Sequence, residues 1–399
     1  MRILIALIFA VTTTVPMGGA VARLTRAPPA QTKDRILKIE TKASKLNHPW
    51  GLAFLPDGRV LLTERAGRLR IMGPNGRLSK ALAGIPAVYT SEQGGLLDVA
   101  LAPDFAASGM IYFSYAEPRG RGKSGTTVAR ARLITQGEGG QLDSVQVIFR
   151  QEPSYASIGA FGSRIVFMPD ASLFITLGDR DTPRDQAQNP ANHLGKLVRI
   201  LSDGRPHPSN PAYDGWRSEI WSIGHRNVQG AALHPTSSQL WTVEHGPRGG
   251  DEINIPAAGK NYGWPVITYG LDYDQRKIGH GKEKPGLEQP IYYWHPSIAP
   301  SAALFYSGDL FPEWKGNLFV SALAGEALHR LVLDGEKVVG EEILLKEFGE
   351  RLRNVRQAPD GAIWLLTDHP KGQVVRVVPA SKSECPSDHA FFIPQPRDC

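Results

Sequence analysis

Residues 244–252, EHGPRGGDE, crowd ionisable side chains into a segment rich in glycine and proline. Neither a helix nor a strand runs smoothly through three glycines and one proline. Such a segment is either a plain surface turn or a loop whose backbone carbonyls and carboxylates are directed at a cation. The rest of the sequence has to decide between the two.

A second group of polar residues lies beside strand-like runs. Its arginines and amides are Arg164, Arg226, Arg351 and Arg353, with Asn227 and Gln229. If the fold brings them to one end, they form fixed donors for a planar ligand with several negative charges, because arginine binds carboxylates bidentately and stacks on aromatic planes. Each arginine alone would be interpreted as a surface ion-pair partner. It is the set that indicates a binding site.

The elements that must position these residues repeat along the chain. FLPDGRVLLTE (54–64), FMPDASLFITLGD (167–179), LHPTSSQLWTVE (233–244) and QAPDGAIWLLTD (357–368) each join a turn to a β-rich run that ends near an acid. Related phrases start at residues 102 and 310. Short strands between Gly, Pro and Asp turns, with hardly any helical periodicity, predict an antiparallel all-β protein.

The spacing of these phrases favours a β-propeller. Neighbouring phrases lie one or two units of about 45 to 65 residues apart, which suits a four-stranded blade with an elaborated loop. Residues 38–379 therefore predict a six-bladed propeller of four-stranded antiparallel blades. One large β-sandwich, or two, is the alternative. Long insertions such as 181–216 would be loops on one face, where functional residues usually lie.

The two ends of the chain indicate export. Residues 1–22 have one Arg, an apolar run and then small residues, as in a secretory signal peptide, and an uncleaved anchor is the alternative. Residues 23–37 would be a linker. The tail, 380–399, holds both cysteines, Cys385 and Cys399, which are expected to form a structural disulfide in an oxidising compartment. We therefore expect a periplasmic or secreted protein without stable membrane insertion.

The net charge of the chain restricts the classes of partner that the protein is expected to bind. The formal net charge of +6 is spread along the 399 residues instead of forming runs. This mild basicity suits small anionic ligands and is poor evidence for nucleic acid. The sequence leaves open whether the protein is a monomer or a homodimer.

With these motifs in place, the chain resembles the soluble glucose dehydrogenases and bacterial aldose sugar dehydrogenases that depend on pyrroloquinoline quinone (PQQ). The resemblance spans residues 46–379 and depends on GHRNVQG, EHGPRGGDEIN and NYGWP. It implies a six-bladed propeller, in agreement with the repeats. It also implies an aldose substrate, PQQ and Ca²⁺ as cofactors, and an electron acceptor that the sequence does not identify.

The resemblance also implies roles for individual residues. Backbone carbonyls of Gly246 and Pro247 would hold the Ca²⁺ that coordinates the quinone, and Glu252 and Tyr262 match a second, structural Ca²⁺ site. The residues that match cofactor contacts are Arg226, Asn227, His245, Arg351, Arg353 and Asp368. Gln93 matches a substrate-side residue, and Arg226 would also face the reacting quinone carbonyl. Asp179 matches the carboxylate that orients the catalytic histidine.

The chain departs from the family pattern at two positions. SIGAFGSR has Ala160 where the family carries the histidine that takes the proton of the anomeric hydroxyl, and alanine cannot accept a proton. Removing a general base typically costs about two to four orders of magnitude in rate. His225, or Asp179 through a water molecule, is the candidate replacement. Ala324 stands where glucose-oxidising members carry a lysine that pairs with a cofactor carboxylate.

Three classes of function therefore stay open. The first is an exported PQQ- and Ca²⁺-dependent oxidoreductase that converts aldoses to lactones, with its activity reduced by Ala160. The second is a non-catalytic propeller that binds a quinone, a sugar or a protein partner through the same face. The third is a metal-dependent hydrolase, which would need a central cage of carboxylates and amides that the sequence does not show.

Overall fold

The structure, a computed structural model, describes residues 37–380, and most of these residues lie in strands or tight turns. The strands, in chain order, are β1 (Leu37–Leu46), β2 (Pro49–Phe54), β3 (Val60–Glu64), β4 (Arg68–Met72), β5 (Leu96–Leu101), β6 (Met110–Pro118), β7 (Ser124–Gln136), β8 (Gly139–Arg150), β9 (Gly162–Phe167), β10 (Leu173–Leu177), β11 (Lys196–Ile200), β12 (Ile220–Ile223), β13 (Val228–Leu233), β14 (Leu240–Glu244), β15 (Asp251–Asn254), β16 (Tyr292–Trp294), β17 (Pro300–Phe305), β18 (Leu318–Ala322), β19 (Ala327–Asp334), β20 (Lys337–Leu344), β21 (Leu352–Gln357), β22 (Ile363–Thr367) and β23 (Gly372–Pro379). The helices are α1 (Phe105–Ser108) and short 3-10 turns at Arg184–Gln188, Pro312–Trp314 and Lys346–Phe348.

The strands form six antiparallel sheets, which we number as blades 1 to 6. They comprise β2–β4, β5–β8, β9–β12, β13–β16, β17–β20, and β21–β23 with β1. The predicted six-bladed propeller is thus confirmed. Blade 1 has three strands instead of four: residues 78–83 run beside β4, and the N–H groups of Ser79 and Leu82 donate to the carbonyls of Ile71 and Leu69, both at 2.8 Å.

The six repeated phrases are the first hairpins of the six blades. In blade 1, for example, the PDG turn links β2 to β3, where the N–H of Leu55 donates to the carbonyl of Arg59 at 2.8 Å. In blade 6 the same turn links β21 to β22, and the N–H of Ala358 donates to the carbonyl of Ala362. Residues that favour turns therefore determine where the second strand of each blade begins.

The second strand of each blade is packed on both faces by neighbouring blades. β3, β10 and β14 are buried at every position, which explains why they read as continuous apolar runs and not as alternating ones. Separate apolar clusters fill the spaces between successive blades, such as the one joining Leu61 and Ile71 of blade 1 to Phe113 of blade 2.

The ring is closed by the start of the described chain. β1 pairs antiparallel with β23 as the outer strand of blade 6, with Ile39 opposite Val377. This pairing joins the two ends of the described chain in one sheet. The predictions for residues 1–22, nearly all of 23–37, and the Cys385–Cys399 tail fall outside residues 37–380. No helix in the part of the chain that the structure describes is both long and apolar enough to span a membrane.

The first strands of the blades surround the axis, where a buried ion pair connects them. Arg164 of β9 contacts Asp98 of β5 at 2.9 Å, and its side chain is fully buried. Its guanidinium also donates to the carbonyls of Gln229 on β13 and Ser301 on β17, at 3.2 and 2.9 Å. Trp50 of β2 lies 4.2 Å from the guanidinium carbon, measured to the ring centroid. Asp98 also lies 3.6 Å from an Arg356 nitrogen of β21, so the pair reaches all six first strands.

Arg164→Met should lower the free energy of unfolding by about 3–5 kcal/mol, because it leaves the Asp98 carboxylate buried without its main partner. Denaturant unfolding measures the change. Arg205→Met is the control, since Arg205 is 75% exposed and paired only with Asp203, and it should cost less than about 1 kcal/mol. Equal costs for the two variants would contradict the central role of Arg164.

Candidate functional site

A cavity of about 680 Å³ opens at one end of the propeller axis. Its wall is built from residues just before first strands, such as His48 and Arg351, and residues just after second strands, such as Arg65, His245 and Asp368. The lining residues are Asn47, His48, Trp50, Arg65, Ala66, Thr90, Glu92, Gln93, Gly94, Leu97, Phe161, Gly162, Gln229, His245, Ala299, Leu323, Arg351, Arg353 and Asp368.

A β-bulge or comparable irregularity lies at this end of the first hairpin in every blade. The register of the first strand against the second shifts, for example, between Pro49 and Leu52 in blade 1 and between Leu352 and Asn354 in blade 6. The other four blades show the same shift. Bulges bend a strand and redirect its side chains, so these shifts help decide which residues face the axis and which face the cavity.

One wall of the cavity carries a charged cluster, which we call the arginine wall: Arg65, Arg353, Asp368 and His48. Arg353 donates to Asp368 at 2.7 Å, and the His48 Nδ1 lies 2.8 Å from the other carboxylate oxygen. The Arg65 guanidinium is 3.5 Å from that second oxygen. Burial alone would raise the pKa of Asp368, but Arg353, His48 and Arg65 together hold it well below its usual value.

Arg351 adds a third positive group to the cavity wall, and His245 lies beside it as a neutral one. The Arg351 guanidinium donates to the carbonyl of Leu323 at 3.3 Å, and the Nε2 of His245 is buried without a hydrogen-bond partner among residues 37–380. Burial lowers the pKa of His245 to about 3, with Arg226 and Arg353 adding to the effect. The His245 imidazole is therefore neutral and a poor base at physiological pH.

Ala160 directly precedes Phe161 and Gly162, which line the cavity, but is itself 1% exposed and is not among the lining residues. Its N–H donates to the Gln93 side-chain oxygen at 3.0 Å, so the structure brings together the expected base position and the expected substrate-side residue. The Asn227 side-chain oxygen accepts from the N–H of Gly162, at 3.1 Å, and from the amide of Gln229. Asn227 thus contacts the cavity wall from behind.

Asp179 is also buried. Its carboxylate accepts hydrogen bonds from the Trp264 indole at 2.7 Å and from the N–H of Asp181 at 2.9 Å. Burial raises the pKa of Asp179 to about 6, although the neighbouring Arg226 opposes the shift. Asp179 is not among the residues that line the cavity.

Within the EHGPRGGDE segment, residues 245–250 form the turn that connects β14 to β15. The Gly246 N–H donates to Asp251 at 2.8 Å, and the same carboxylate accepts from Ser297 and two backbone N–H groups. The Gly246 carbonyl accepts a hydrogen bond from Arg226 at 2.7 Å, and the His245 carbonyl accepts from the same nitrogen at 3.3 Å. Two carbonyls of this turn therefore converge on a cationic group, while the ring of Pro247 packs beside Gly270.

Glu252 and Tyr262, the residues expected at a second cation site, are connected through the side chains of Asn254, Glu244 and His225. The Asn254 amide donates to both Glu244 and Glu252, at 2.9 and 3.2 Å. Burial, and after it the nearby Glu244 carboxylate, raises the pKa of Glu252 well above its usual value. The Tyr262 ring stacks on His225 at 4.9 Å, and its hydroxyl donates to the carbonyl of Ile255.

Two sequence interpretations are wrong. Arg164 was expected among the ligand-binding arginines, but it is fully buried at the axis, where Asp98 and two carbonyls occupy its guanidinium. His225 was a candidate for the missing base, but it is fully buried. Its two ring nitrogens are bonded to Ser222 at 2.8 Å and Glu244 at 2.9 Å. Neither nitrogen is left to accept a proton from a ligand.

Sequence reasoning also missed residues of the cavity. Arg65, His48 and Trp50 line it but were not expected there. One signal was present: Arg65 directly follows the acid that ends the phrase at 54–64, just as His245 follows Glu244 in the phrase at 233–244. In both repeats, the residue that follows the second strand lies in the cavity wall.

Comparison with known proteins gives consistent matches over nearly all the described chain. The family model for glucose/sorbosone dehydrogenases matches residues 46–376. The aldose sugar dehydrogenase YliI of Escherichia coli K12 is 44% identical over 348 residues, which cover 86% of this chain and 93% of that protein. A crystal structure of a glucose dehydrogenase is 48% identical, with a TM-score of 0.83, and the match covers 86% of this chain and 100% of that one. The PQQ-bound aldose sugar dehydrogenase of Streptomyces coelicolor is 30% identical, with a TM-score of 0.71 over 88% of this chain and 100% of that one.

The raised pKa of Asp179 predicts a specific dependence of stability on pH. Because its pKa is about 6 in the folded chain and 3.8 ordinarily, its contribution is fully present below pH 3.8 and is lost as pH rises through 6. Relative to Asp179→Asn, the unaltered protein should lose about 2.4 kcal/mol of unfolding free energy between pH 4 and pH 8. Denaturant unfolding of both proteins at both pH values measures this. The pH-independent effects of losing the Trp264 bond cancel in the comparison, and a constant difference between the two proteins would contradict it.

Proposed function

The chain belongs to the glucose/sorbosone dehydrogenase family, and we propose that it is an exported oxidoreductase that uses PQQ and Ca²⁺ to oxidise the anomeric hydroxyl of aldoses to lactones. The observation that carries the proposal is the cavity with three guanidinium groups in its wall, those of Arg65, Arg351 and Arg353. Such donors suit a planar ligand with several carboxylates. An acceptor outside this chain would take the electrons.

The residues around the cavity fit PQQ. Arg351 and Arg353 would pair with its carboxylates, and the flat ring system would lie against a wall that includes Trp50 and Phe161. The unpartnered Nε2 of His245 is a neutral acceptor and would accept a hydrogen bond from a donor group of the cofactor. When bound, PQQ supplies the quinone carbon that accepts hydride from the sugar.

The turn at residues 246–247 fits Ca²⁺. Backbone carbonyls are hard oxygen donors of the kind that Ca²⁺ prefers, and the Gly246 carbonyl already accepts from a cationic guanidinium. The backbone carbonyls of Gly246 and Pro247 would hold the ion, and Arg226, which contacts the Gly246 carbonyl, would supply positive charge beside it. Glu252 would take part in a second site with Tyr262, because a cation would relieve the repulsion between the half-buried Glu252 carboxylate and the buried Glu244 carboxylate.

Ala160 limits the chemistry that this site performs. Gln93 would orient the sugar beside Ala160, to whose N–H it is bonded, and Arg226 would stabilise negative charge that develops on the reacting oxygen. The hydroxyl proton still needs a base. His245 remains neutral and weakly basic, and the Asp368 carboxylate is held ionised by its cationic partners. We therefore propose that the enzyme turns over slowly.

The alanine at position 160 also favours a second candidate, a non-catalytic propeller that binds a quinone, a sugar or a protein partner through this cavity. A hydrolase is less well supported. It would need a central cage of carboxylates and amides, and among residues 37–380 no group of three or more His, Cys, Asp and Glu side chains is arranged to hold a metal ion.

Ala160→His tests the function directly. The purified protein is loaded with PQQ and excess Ca²⁺, dye-linked aldose oxidation is measured, and PQQ binding is followed by absorbance. Histidine should raise kcat by about two to four orders of magnitude, because it supplies a general base. Ala160 has a φ of 49°, a left-handed conformation in which His and Asn are enriched.

Ala160→Asn is the matched control, since asparagine tolerates the same backbone conformation but does not take up a proton. It should bind PQQ and stay slow. Ordinary enzymatic rates in the unaltered protein would show that another group acts as the base. Binding of PQQ without aldose oxidation by Ala160→His would favour the non-catalytic candidate, and the absence of PQQ binding would reject the proposed cofactor.

Removal of the metal provides an independent test of the calcium proposal. Treating the loaded protein with a calcium chelator should release bound PQQ, because the carbonyls at residues 246–247 would hold the ion and the ion would supply positive charge for the cofactor. Absorbance after gel filtration measures the PQQ that remains, and added Ca²⁺ should restore it while Mg²⁺ should restore less, since Mg²⁺ demands a stricter octahedral geometry. Retention of PQQ after chelation would contradict the role of Ca²⁺.

A further inference from the structure

The arginine wall holds more positive charge than its own carboxylate neutralises. Arg65 and Arg353 share Asp368, and Arg351 lies in the same cavity lining. The other acidic residue of the lining, Glu92, is exposed to solvent. Three guanidinium groups thus face one buried carboxylate, and the cavity is suited to a ligand with at least two negative charges.

Arg65 is held in place, but not all of its hydrogen-bond donors have partners among residues 37–380. Its side chain is 15% exposed, and one of its terminal nitrogens donates to the Glu92 carbonyl. Its Nε–H is buried and has no hydrogen-bond partner within residues 37–380, and the same is true of the Nε–H of Arg353. A buried donor without a partner is costly. Two such donors beside one cavity suggest that a ligand completes them.

The electrostatics of Arg65 point the same way. Burial lowers its pKa first of all, Asp368 opposes this, and Arg353 and Arg351 add repulsion. An anion bound here would relieve both the desolvation and the repulsion between the guanidinium groups. Arg65 therefore gains more from a bound carboxylate than an arginine already satisfied by its own ion pair does.

We propose that Arg65 binds the ligand directly, its guanidinium group donating to a carboxylate of the ligand that lies beside Arg353. Asp368 holds both guanidinium groups in position for the carboxylate of the ligand: Arg353 contacts one of its oxygens, and Arg65 and His48 contact the other. The identity of the ligand as PQQ rests on the proposed function, whereas the role of Arg65 in binding a polycarboxylate does not.

Arg65→Gln should weaken the binding of PQQ by about tenfold to a hundredfold, the usual range for a lost charge-assisted hydrogen bond. Binding is measured by equilibrium dialysis and by quenching of tryptophan fluorescence, with Trp50 in the cavity wall as one reporter. Arg65→Lys keeps the charge but loses the planar donor and should recover part of the affinity. Arg59→Gln is the matched control, because Arg59 is similarly buried at 19% exposure but pairs with Asp57 outside the cavity.

A chemical control separates direct binding from a merely structural role. The trimethyl ester of PQQ lacks the carboxylate charges, so the difference between the unaltered protein and Arg65→Gln should largely disappear with this ligand. If the substitution only loosened the loop around Glu92, to which Arg65 donates, the binding of both ligands would weaken equally. Equal losses for PQQ and its ester, or an Arg65→Gln protein that binds PQQ as well as Arg59→Gln does, would overturn the proposal.

Benzene-1,3,5-tricarboxylate distinguishes this proposal from the proposed function. If the unaltered protein binds this probe but not PQQ, and Arg65→Gln weakens the binding tenfold or more, the arginine wall is a polycarboxylate site and the cofactor assignment fails alone. If the unaltered protein binds neither compound, both proposals fail. Thermal unfolding of each variant checks that it is folded, and Arg65→Lys keeps the test valid if Arg65→Gln does not fold.

Discussion

The buried ion pair between Arg164 and Asp98 is the interaction on which the architecture depends most. It is surrounded by all six first strands, so each blade contributes a group to one desolvated contact at the axis. A buried charge pair is expensive to desolvate and tolerates little misalignment. The strands must therefore meet at the axis in a fixed arrangement, and this arrangement determines the positions of the loops that follow.

Gln229 links this contact to the cavity. Its backbone carbonyl accepts from Arg164, while its side-chain oxygen accepts from Arg353 at 2.9 Å. Its amide also donates to Asn227, which in turn braces the N–H of Gly162. A single residue thus transmits the geometry of the axis to the arginine wall on one side and to the edge near Ala160 on the other. The site is preorganised because its supports are parts of the core.

The sequence predicted the blades better than it predicted the site, for a physical reason. Each first hairpin depends on local turn chemistry and on a run of apolar residues, as in FLPDGRVLLTE, and both can be read within about ten residues. Whether an arginine near the start of a first strand faces the axis or the cavity depends instead on a register shift there. Arg164 and Arg353 look alike in sequence, yet the former lies in the core and the latter in the cavity wall. His48 and Arg65 reach Asp368 only because the ring closes, bringing blade 1 beside blade 6.

The division of the site among blades explains how chemistry and binding could change separately. The arginine wall is built by blades 1 and 6, whereas Ala160 and Asp179 belong to blade 3 and the Gly246 turn to blade 4. Ala160 contributes only its backbone N–H to Gln93, so its side chain supports none of the guanidinium groups that would hold an anion. A histidine at this position could therefore be lost with little effect on the arginine wall. Under the proposed function, residue 160 therefore affects proton transfer, whereas the guanidinium groups of blades 1 and 6 determine the binding of an anion.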